Sequence, residues 1–169
     1  DPQIRELLAK GIDGEKLFFE LALTDLTKAA DLFKGVHERT GGIDGWVSLE
    51  VSPLLARDAK TTVEQAVALH AKAARPNLFI KVPGTPEGLP AIEELTYRGV
   101  PLNVTLLFSP KHYLAAADAY LAFVREWPAS KLAPTALFNA SVDLGKAGQP
   151  ERALEVRDRL MKAYPDAPL

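Results

Sequence analysis

The chain has 169 residues, of which 47% are apolar and 25% charged, a composition that is ordinary for a protein with one sizeable hydrophobic core. Its formal charge of −2 provides no positive field for nucleic acid or an anionic membrane surface, so neither is expected as a partner. The lack of cysteine excludes disulfides, thiolate nucleophiles and thiolate metal sites. The sequence contains no signal peptide and no apolar run that predicts a transmembrane helix, and because it starts at Asp1 we expect a processed or excised piece.

Hydrophobic periodicity and turn residues predict an alternation of helices and strands along most of the chain. The predicted helices cover residues 2–10, 15–39, 61–74, 86–98 and 110–127, and the predicted strands cover residues 45–51, 77–82 and 100–108. The strands are nearly continuous apolar runs with no hairpin turn between them, which indicates parallel strands covered by helices. The expected fold class is therefore α/β.

Two of these helices have a predicted inward face. On helix 15–39 the apolar face consists of Leu17, Phe18, Leu21, Leu26, Ala29, Phe33 and Val36. Helix 61–74 is expected to start at an N-cap formed by Thr61 or Thr62, with Val63 and Val67 facing inward. Apolar side chains spaced three or four residues apart in this way are typical of helices that cover a core.

Polar side chains occur near the carboxyl end of each predicted strand. Glu50 lies on the first strand, Lys81 on the second, and Asn103 and Thr105 on the third. Right-handed crossovers would bring these strand ends to one edge of the sheet, which in (β/α) barrels is the edge where the chemistry occurs. These four residues are therefore the candidate site.

Lys81 is the most informative of the four, because it lies in the apolar run of residues 77–82, which predicts a strand buried on both faces. Burial disfavours a charged ammonium group, and a neutral amine is a nucleophile toward a carbonyl carbon. Lys81 therefore indicates imine chemistry, which needs neither a metal nor a cofactor. The alternative is a lysine whose side chain extends from the strand end into solvent.

Three segments, residues 45–53, 75–90 and 102–109, resemble the third, fourth and fifth strands of transaldolase in order and spacing. The resemblance covers about residues 1–120 and is greatest for the bacterial type related to the fusion of transaldolase with phosphoglucose isomerase. It implies a transferase of the pentose phosphate pathway that moves a dihydroxyacetone unit between sugar phosphates without a cofactor. It also implies a cytoplasmic location, with which a cysteine-free chain is compatible.

The resemblance assigns a role to each candidate residue. Lys81 matches the lysine that forms the Schiff base with a ketose phosphate, and Glu50 and Thr105 would order the water needed for proton transfer. Asn103 would hold a substrate hydroxyl. Each assignment has a structural alternative, namely Glu50 as an ion-pair partner of Lys81, Thr105 as a simple β-former and Asn103 as a residue that satisfies the strand edge.

The sequence also departs from the family pattern. It has no counterpart of strands one and two, which contribute the aspartate acid/base and a substrate-binding asparagine, or of strands six to eight, which contribute the phosphate-binding serine and arginines. Three strands cannot close an eight-stranded barrel, so a partial (β/α) barrel with two open edges is expected. Any transaldolase activity is expected to be impaired.

From about residue 115 the sequence becomes alanine-rich and helical, and it matches itself at a fixed offset that aligns Trp127-Pro128 with Tyr164-Pro165. This pattern resembles a tetratricopeptide-like repeat and predicts helices over residues 133–146 and 151–163. The expected organisation is a transaldolase-like partial barrel over residues 1–122 and a helical hairpin over residues 123–169.

The hairpin contains fewer than two full repeats, which is normally too few for a stable array. We therefore expect its helices to pack on the sheet, to self-associate or to bind a protein partner. The predicted inward stripes are Leu137, Ala140, Val142 and Leu144 on the first helix, and Leu154, Val156, Leu160 and Met161 on the second.

The sequence leaves three functions open. The first is a transaldolase-like class I aldolase acting through Lys81, and the others are a non-catalytic helical-repeat binding module and an inactive chimeric fragment. Chemical trapping of an imine separates the first function from the other two.

His37, His70 and His112 lie on predicted helices without a second ligand at metal spacing, so no metal site is expected.

Overall fold

The computed structural model describes residues 1–167. Its helices are α1 (Pro2–Ala9), α2 (Gly14–Arg39), α3 (Ala59–Ala73), α4 (Leu89–Tyr97), α5 (Pro110–Glu126), α6 (Ala133–Lys146) and α7 (Pro150–Ala163). Its strands are β1 (Val47–Glu50), β2 (Leu78–Pro83) and β3 (Leu102–Thr105), and a short 3₁₀ turn (Pro53–Leu55) follows β1. Across residues 1–167, no helix combines the length and the apolarity needed to cross a bilayer.

The three strands form a sheet in the order β1-β2-β3. β2 and β3 are parallel, and their paired residues are Ile80 with Leu102, Lys81 with Asn103, Val82 with Val104, and Pro83 with Thr105. β1 also runs parallel to β2, because Val47 N donates to Asn77 O at 3.0 Å and Val51 N donates to Lys81 O at 3.2 Å, so both strands advance together. The predicted α/β fold, a partial (β/α) barrel of three parallel strands with covering helices, is confirmed.

The chain forms two compact units. The first consists of residues 1–49 and 68–79, and the second consists of residues 50–67 and the chain from Ile80 onward. β1, β2 and α3 therefore each contribute residues to both units. The predicted domain boundary after residue 122 lies inside α5 and stays a prediction.

The first unit is organised around the side-chain amide of Asn77, which is 1% exposed. Asn77 Nδ2 donates to Ala30 O at 2.8 Å and to Gly45 O at 2.9 Å, and so joins α2 to the segment before β1. The Trp46 ring stacks on Phe79 with the two centroids 3.9 Å apart. Together these contacts hold the amino ends of β1 and β2 in place.

The buried side of α2 differs from the predicted one. Leu23 and Ala30 are buried, whereas Phe18 and Phe33, expected to face inward, are 62% and 49% exposed. Asn77 approaches the helix backbone at Ala30, and the small side chain there permits the close approach. The helical period allows more than one apolar stripe on a helix of this length, and a tertiary contact selects the stripe that is buried.

The second unit has a core formed by one side of β2 and the helices α4 to α7. α4 contacts α5, α5 contacts α6, and α6 contacts α7. The largest fully buried apolar side chains of this unit are Ile80, Val82, Ile92, Leu95, Phe123, Val124, Leu137 and Leu144. At the end of α5, the Trp127 ring contacts that of Tyr97 with the centroids 4.7 Å apart, and this aromatic pair closes one end of the core.

The two C-terminal helices are present where they were predicted, but the inward stripe of α7 is only partly correct. Val156 and Leu160 are buried, while Leu154 and Met161 are 62% and 63% exposed. Ala153 completes the buried side instead, because positions 153, 156 and 160 are spaced three and four residues apart and lie on one side of the helix. The resemblance to a tetratricopeptide repeat stays a prediction.

Two helices begin two or more residues away from their predicted starts. α3 begins at Ala59, because the carboxylate of Asp58 accepts a hydrogen bond from Thr61 N at 3.0 Å and caps the first turn. α4 begins at Leu89, because residues 85–88 form a turn before the helix. Both differences come from short polar contacts that hydrophobic periodicity does not detect.

α6 contains a carboxylate at Asp143 that is only 9% exposed. Burial raises the pKa of Asp143 to about 6, and the neighbouring Lys146 opposes this rise. On α5, burial and then the charge of Asp143 raise the pKa of Tyr120, while a hydrogen bond with Asn139 lowers it. The region where α5 meets α6 therefore contains a carboxyl group that holds its proton closer to neutral pH than usual.

Replacing Asp143 with asparagine is expected to stabilise the protein near neutral pH and to have little effect in acid. The folded pKa of about 6 lies above the ordinary value of 3.8, so the folded state binds the proton more tightly than the unfolded state does. The stability contributed by this group is full below pH 3.8 and is lost as the pH rises through about 6. The gain in unfolding free energy at neutral pH should be about 1–3 kcal/mol.

The measurement is urea unfolding of wild type and Asp143→Asn across that pH range. The control is Asp166→Asn, which removes one exposed carboxylate in the same way. A difference between Asp143→Asn and wild type that does not change with pH would contradict the assignment.

A second prediction concerns Gly88, which directly precedes α4. Its φ of −79° is ordinary, but a Cβ atom on it would lie 2.0 Å from Pro83 O. Gly88→Ala should therefore lower the unfolding free energy by about 1–3 kcal/mol or more. Gly145, in the last turn of α6, is the control, since a Cβ there would meet nothing within 4 Å. Gly145→Ala should be neutral or stabilising by up to about 1 kcal/mol, and equal urea midpoints for the two variants would show that the turn has room for a side chain.

Candidate active site at the strand ends

The alternation of side chains along β2 places Lys81 on the side of the strand opposite the core. Ile80 and Val82 are completely buried at 0% exposure. The side chain of Lys81, which lies between them, is 29% exposed and projects to the other side of the sheet. The sequence suggested a lysine covered on both faces, whereas the structure has one on a partly open face.

Glu50, at the end of β1, forms an ion pair with this lysine. Lys81 Nζ lies 2.8 Å from Glu50 Oε1, and the Glu50 side chain is 58% exposed. The backbone bond from Val51 N to Lys81 O, at 3.2 Å, aligns the two strands at this level. A pair this exposed contributes little to stability. The contact is expected both for a catalytic carboxylate and for a structural ion-pair partner.

Asn103 and Thr105 lie on β3, the strand that flanks β2 on the side away from β1. Asn103 is paired with Lys81 across the parallel strands, and Thr105 is paired with Pro83 two residues further along. Residues paired in this way share a face of the sheet. Because β2 separates β1 from β3 and Thr105 lies two residues beyond the level of Lys81, the backbones of Glu50 and Thr105 are roughly 12 Å apart, and Lys81 is the central residue of the group.

Two further polar residues position the segment after Glu50, and the sequence had not indicated that they support the site. Ser52 is 2% exposed, and its N–H donates to Gln65 Oε1 on α3 at 2.6 Å. Ser52 Oγ accepts a hydrogen bond from Leu54 N at 3.3 Å, which starts the 3₁₀ turn. The Ser-Pro pair after the strand was the available signal, since serine before proline favours the start of a turn.

The segment after β2 is held in a similar way. Thr85 Oγ1 donates to Ala56 O at 3.0 Å and accepts from Gly88 N at 3.1 Å. Gly84 N donates to Thr105 O at 2.7 Å, which extends the pairing with β3 beyond the strand itself. Residues 85–88 therefore form a turn that leads into α4.

β3 ends at Thr105, three residues before its predicted end at Phe108. Leu106 adopts a left-handed conformation with φ of 62°, which a leucine rarely does and which interrupts the strand. Phe108 is then 82% exposed. Unusual backbone geometry of this kind is concentrated at functional sites, and here it lies one residue from a candidate residue.

The arrangement provides a primary amine, a carboxylate, an amide and a hydroxyl at the carboxyl ends of parallel strands. An amine next to a carboxylate is suited to addition to a carbonyl group and to the proton transfers that follow. Among the side chains of residues 1–167, no three His, Asp or Glu residues gather closely enough to hold a metal ion.

Comparison with known proteins identifies the family. The sequence profile described as transaldolase/fructose-6-phosphate aldolase matches residues 1–143. The chain is 40% identical to a transaldolase of Frankia alni over 95% of this chain and 47% of that protein. It is 48% identical to a transaldolase of Thermobifida fusca over 72% of this chain and 33% of that protein. A transaldolase of Trichodesmium erythraeum is 42% identical over 63% of this chain and 28% of its own length.

The chain thus spans from about a quarter to about half of the length of these curated relatives. The profile match extends past residue 120, where the predicted resemblance stopped, and reaches α6. The relation to the fusion type stays a prediction. The parallel strands and the extent of these matches lead to one conclusion: the chain belongs to the transaldolase/fructose-6-phosphate aldolase family.

Proposed function

We propose that this chain forms part of a transaldolase-like class I aldolase that moves a dihydroxyacetone unit between sugar phosphates. The observation that supports this most directly is the contact of 2.8 Å between Lys81 Nζ and Glu50 Oε1 at the ends of two parallel strands. The relatives named above are transaldolases, and the profile match includes both residues. A cytoplasmic location and the absence of a cofactor belong to the same proposal.

In the proposed reaction, the neutral amine of Lys81 attacks the carbonyl carbon of a ketose phosphate and forms a carbinolamine. Loss of water gives a protonated imine, which withdraws electrons from the neighbouring carbon–carbon bond. Water takes the proton of the hydroxyl group on the departing carbon, that carbon leaves as an aldehyde when the bond breaks, and an enamine remains on the lysine. The enamine then attacks an acceptor aldehyde, and water finally hydrolyses the imine and restores the amine.

Glu50 is proposed to accept the ammonium proton of Lys81 and to return a proton to the departing hydroxyl, directly or through a water shared with Thr105. Side chains within hydrogen-bond distance of a reacting group are the ones able to do this, and Glu50 is at that distance. Asn103, paired with Lys81 across the sheet, is proposed to hold a substrate hydroxyl.

We further propose that the activity of these 169 residues by themselves is weak. Three parallel strands do not close a barrel, and the family groups that bind the substrate phosphate have no counterpart in the sequence. Each charge-assisted hydrogen bond that is missing from a phosphate site costs about 1.5–3 kcal/mol in binding. A non-catalytic binding module and an inactive chimeric fragment, the two other functions that the sequence left open, are not favoured by the transaldolase relatives, and both require that no imine forms.

Borohydride reduction in the presence of fructose 6-phosphate is expected to leave a covalent mass adduct on the peptide that contains Lys81. The adduct should disappear in Lys81→Met, because methionine has no amine to form the imine. Lys60, with a side chain 87% exposed on α3, is the matched control, and Lys60→Met should label as wild type does. An adduct that persists in Lys81→Met, or no adduct in wild type at high substrate concentration, would contradict the proposed function.

Replacing Glu50 with glutamine is expected to slow imine formation by about 10²-fold or more, the range typical for loss of a general acid/base. The unfolding free energy should change by less than about 1 kcal/mol, because the ion pair is largely exposed. Glu94, which pairs with Arg98 at 2.6 Å on α4, provides the control, and Glu94→Gln should leave the trapping rate unchanged. A Glu50→Gln variant that loses stability but traps at the wild-type rate would identify Glu50 as a structural partner only.

A further inference from the structure

α7 has an exposed apolar surface on the side that the helical hairpin leaves uncovered. Leu154 and Met161 are 62% and 63% exposed, although both belong to a helix whose other large apolar residues, Val156 and Leu160, are buried. Leu154 and Met161 are seven residues apart, so they lie on one side of the helix about 10 Å from each other. Arg157 and Asp158 lie between them on the same side and are also exposed. These four residues are called the α7 outer face.

The order of residues along this face is self-complementary. In the direction of the chain it runs apolar, basic, acidic, apolar, from Leu154 through Arg157 and Asp158 to Met161. A copy of the same helix lying in the opposite direction presents apolar, acidic, basic, apolar. Each apolar residue then meets an apolar residue of the second copy, and each charged residue meets one of opposite charge.

We propose that the α7 outer face binds the α7 outer face of a second copy of this chain, with the two helices antiparallel. The two-fold axis would pass midway between residues 157 and 158. In a two-fold contact, residue i meets residue j and residue j meets residue i. Leu154 then meets Met161 of the partner subunit, and Arg157 meets Asp158 of the partner subunit. The two-fold axis generates a second copy of each of these contacts.

The charges determine the direction of the helices. A parallel arrangement in the same register places Arg157 opposite Arg157 of the partner subunit, and like charges in contact are unfavourable. The contacts that Arg157 and Asp158 already make within the chain are compatible with the antiparallel arrangement. Arg157 Nε lies 3.4 Å from Ser141 Oγ, which uses one of the five N–H groups of the guanidinium, and Asp158 Oδ2 lies 3.6 Å from Lys162 Nζ.

The other sides of α7 are less suitable for such a contact. Arg152, which is rotated away from the outer face, pairs with Asp118 on α5 at 3.3 Å. Ala153, Val156 and Leu160 are already buried. A single pair of helices buries less area than a standard interface, so the dimer is expected to be weak and its population to depend on protein concentration.

Because the chain contains no cysteine, paired cysteines can map this contact without background. The test variant is Leu154→Cys/Met161→Cys, which keeps Arg157 and Asp158 and brings the introduced thiols together only between subunits. The control is Glu155→Cys/Lys162→Cys, which has the same spacing on another side of α7. Thiols about 10 Å apart on one helix cannot bridge each other. The test variant should form disulfide-linked dimers under mild oxidation at least about tenfold faster than the control.

A charge exchange tests the direction and the pairing. Arg157→Asp and Asp158→Arg should each weaken the dimer at least about tenfold, because each places like charges opposite one another. The double variant Arg157→Asp/Asp158→Arg restores opposite charges across the axis and should restore dimerisation. The measurement is sedimentation velocity from about 10 µM to about 500 µM, with circular dichroism to establish that each variant is folded.

Three results would overturn the proposal. The first is a wild-type chain that remains monomeric over the whole concentration range, which would mean that the face is left to solvent or to a different partner. The second is equal cross-linking of the test and control pairs, which would mean that the copies meet through another surface. The third is a double variant that dimerises no better than the single variants, which would mean that Arg157 and Asp158 do not face each other.

Discussion

The alternation of side chains along β2 is the constraint on which the rest of this structure depends. One side of the strand is apolar and completely buried against helices, with Ile80 and Val82 at 0% exposure. The same alternation directs Lys81 to the opposite side, where Glu50 pairs with it at 2.8 Å. A shift of one residue in the pairing would bury the ammonium group and expose the two aliphatic side chains, so the packing of the core and the position of the amine are determined together.

The segments that follow the strands depend on close backbone contacts. A Cβ on Gly88 would lie 2.0 Å from Pro83 O, while Thr85 and Ser52 use side-chain hydrogen bonds to fix the turns beside them. These contacts hold the ends of the strands, where the candidate residues lie. Rigid supports around a few reactive groups are what a site for positioned proton transfer requires.

The helices α5 to α7 pack on one another as well as on the rest of their unit. Fully buried Phe123, Leu137 and Leu144 form an apolar core here, and Asp143 lies at its margin with a pKa raised by burial to about 6. The last helix has only one packed side. Leu154 and Met161, on another side of the same helix, are exposed.

The sequence by itself determined the order of the elements, the parallel sheet and the polar residues near the strand ends, since period, turn residues and composition are local properties. Tertiary structure decided which side of each helix is buried. On α2 the contact between Asn77 and Ala30 selected one stripe among several, and on α7 the neighbouring helices covered Val156 and left Leu154 exposed. It also decided that β3 ends at Thr105, where Leu106 adopts a left-handed conformation, and that Lys81 lies on a partly open face of the sheet, because burial depends on residues far apart in the chain.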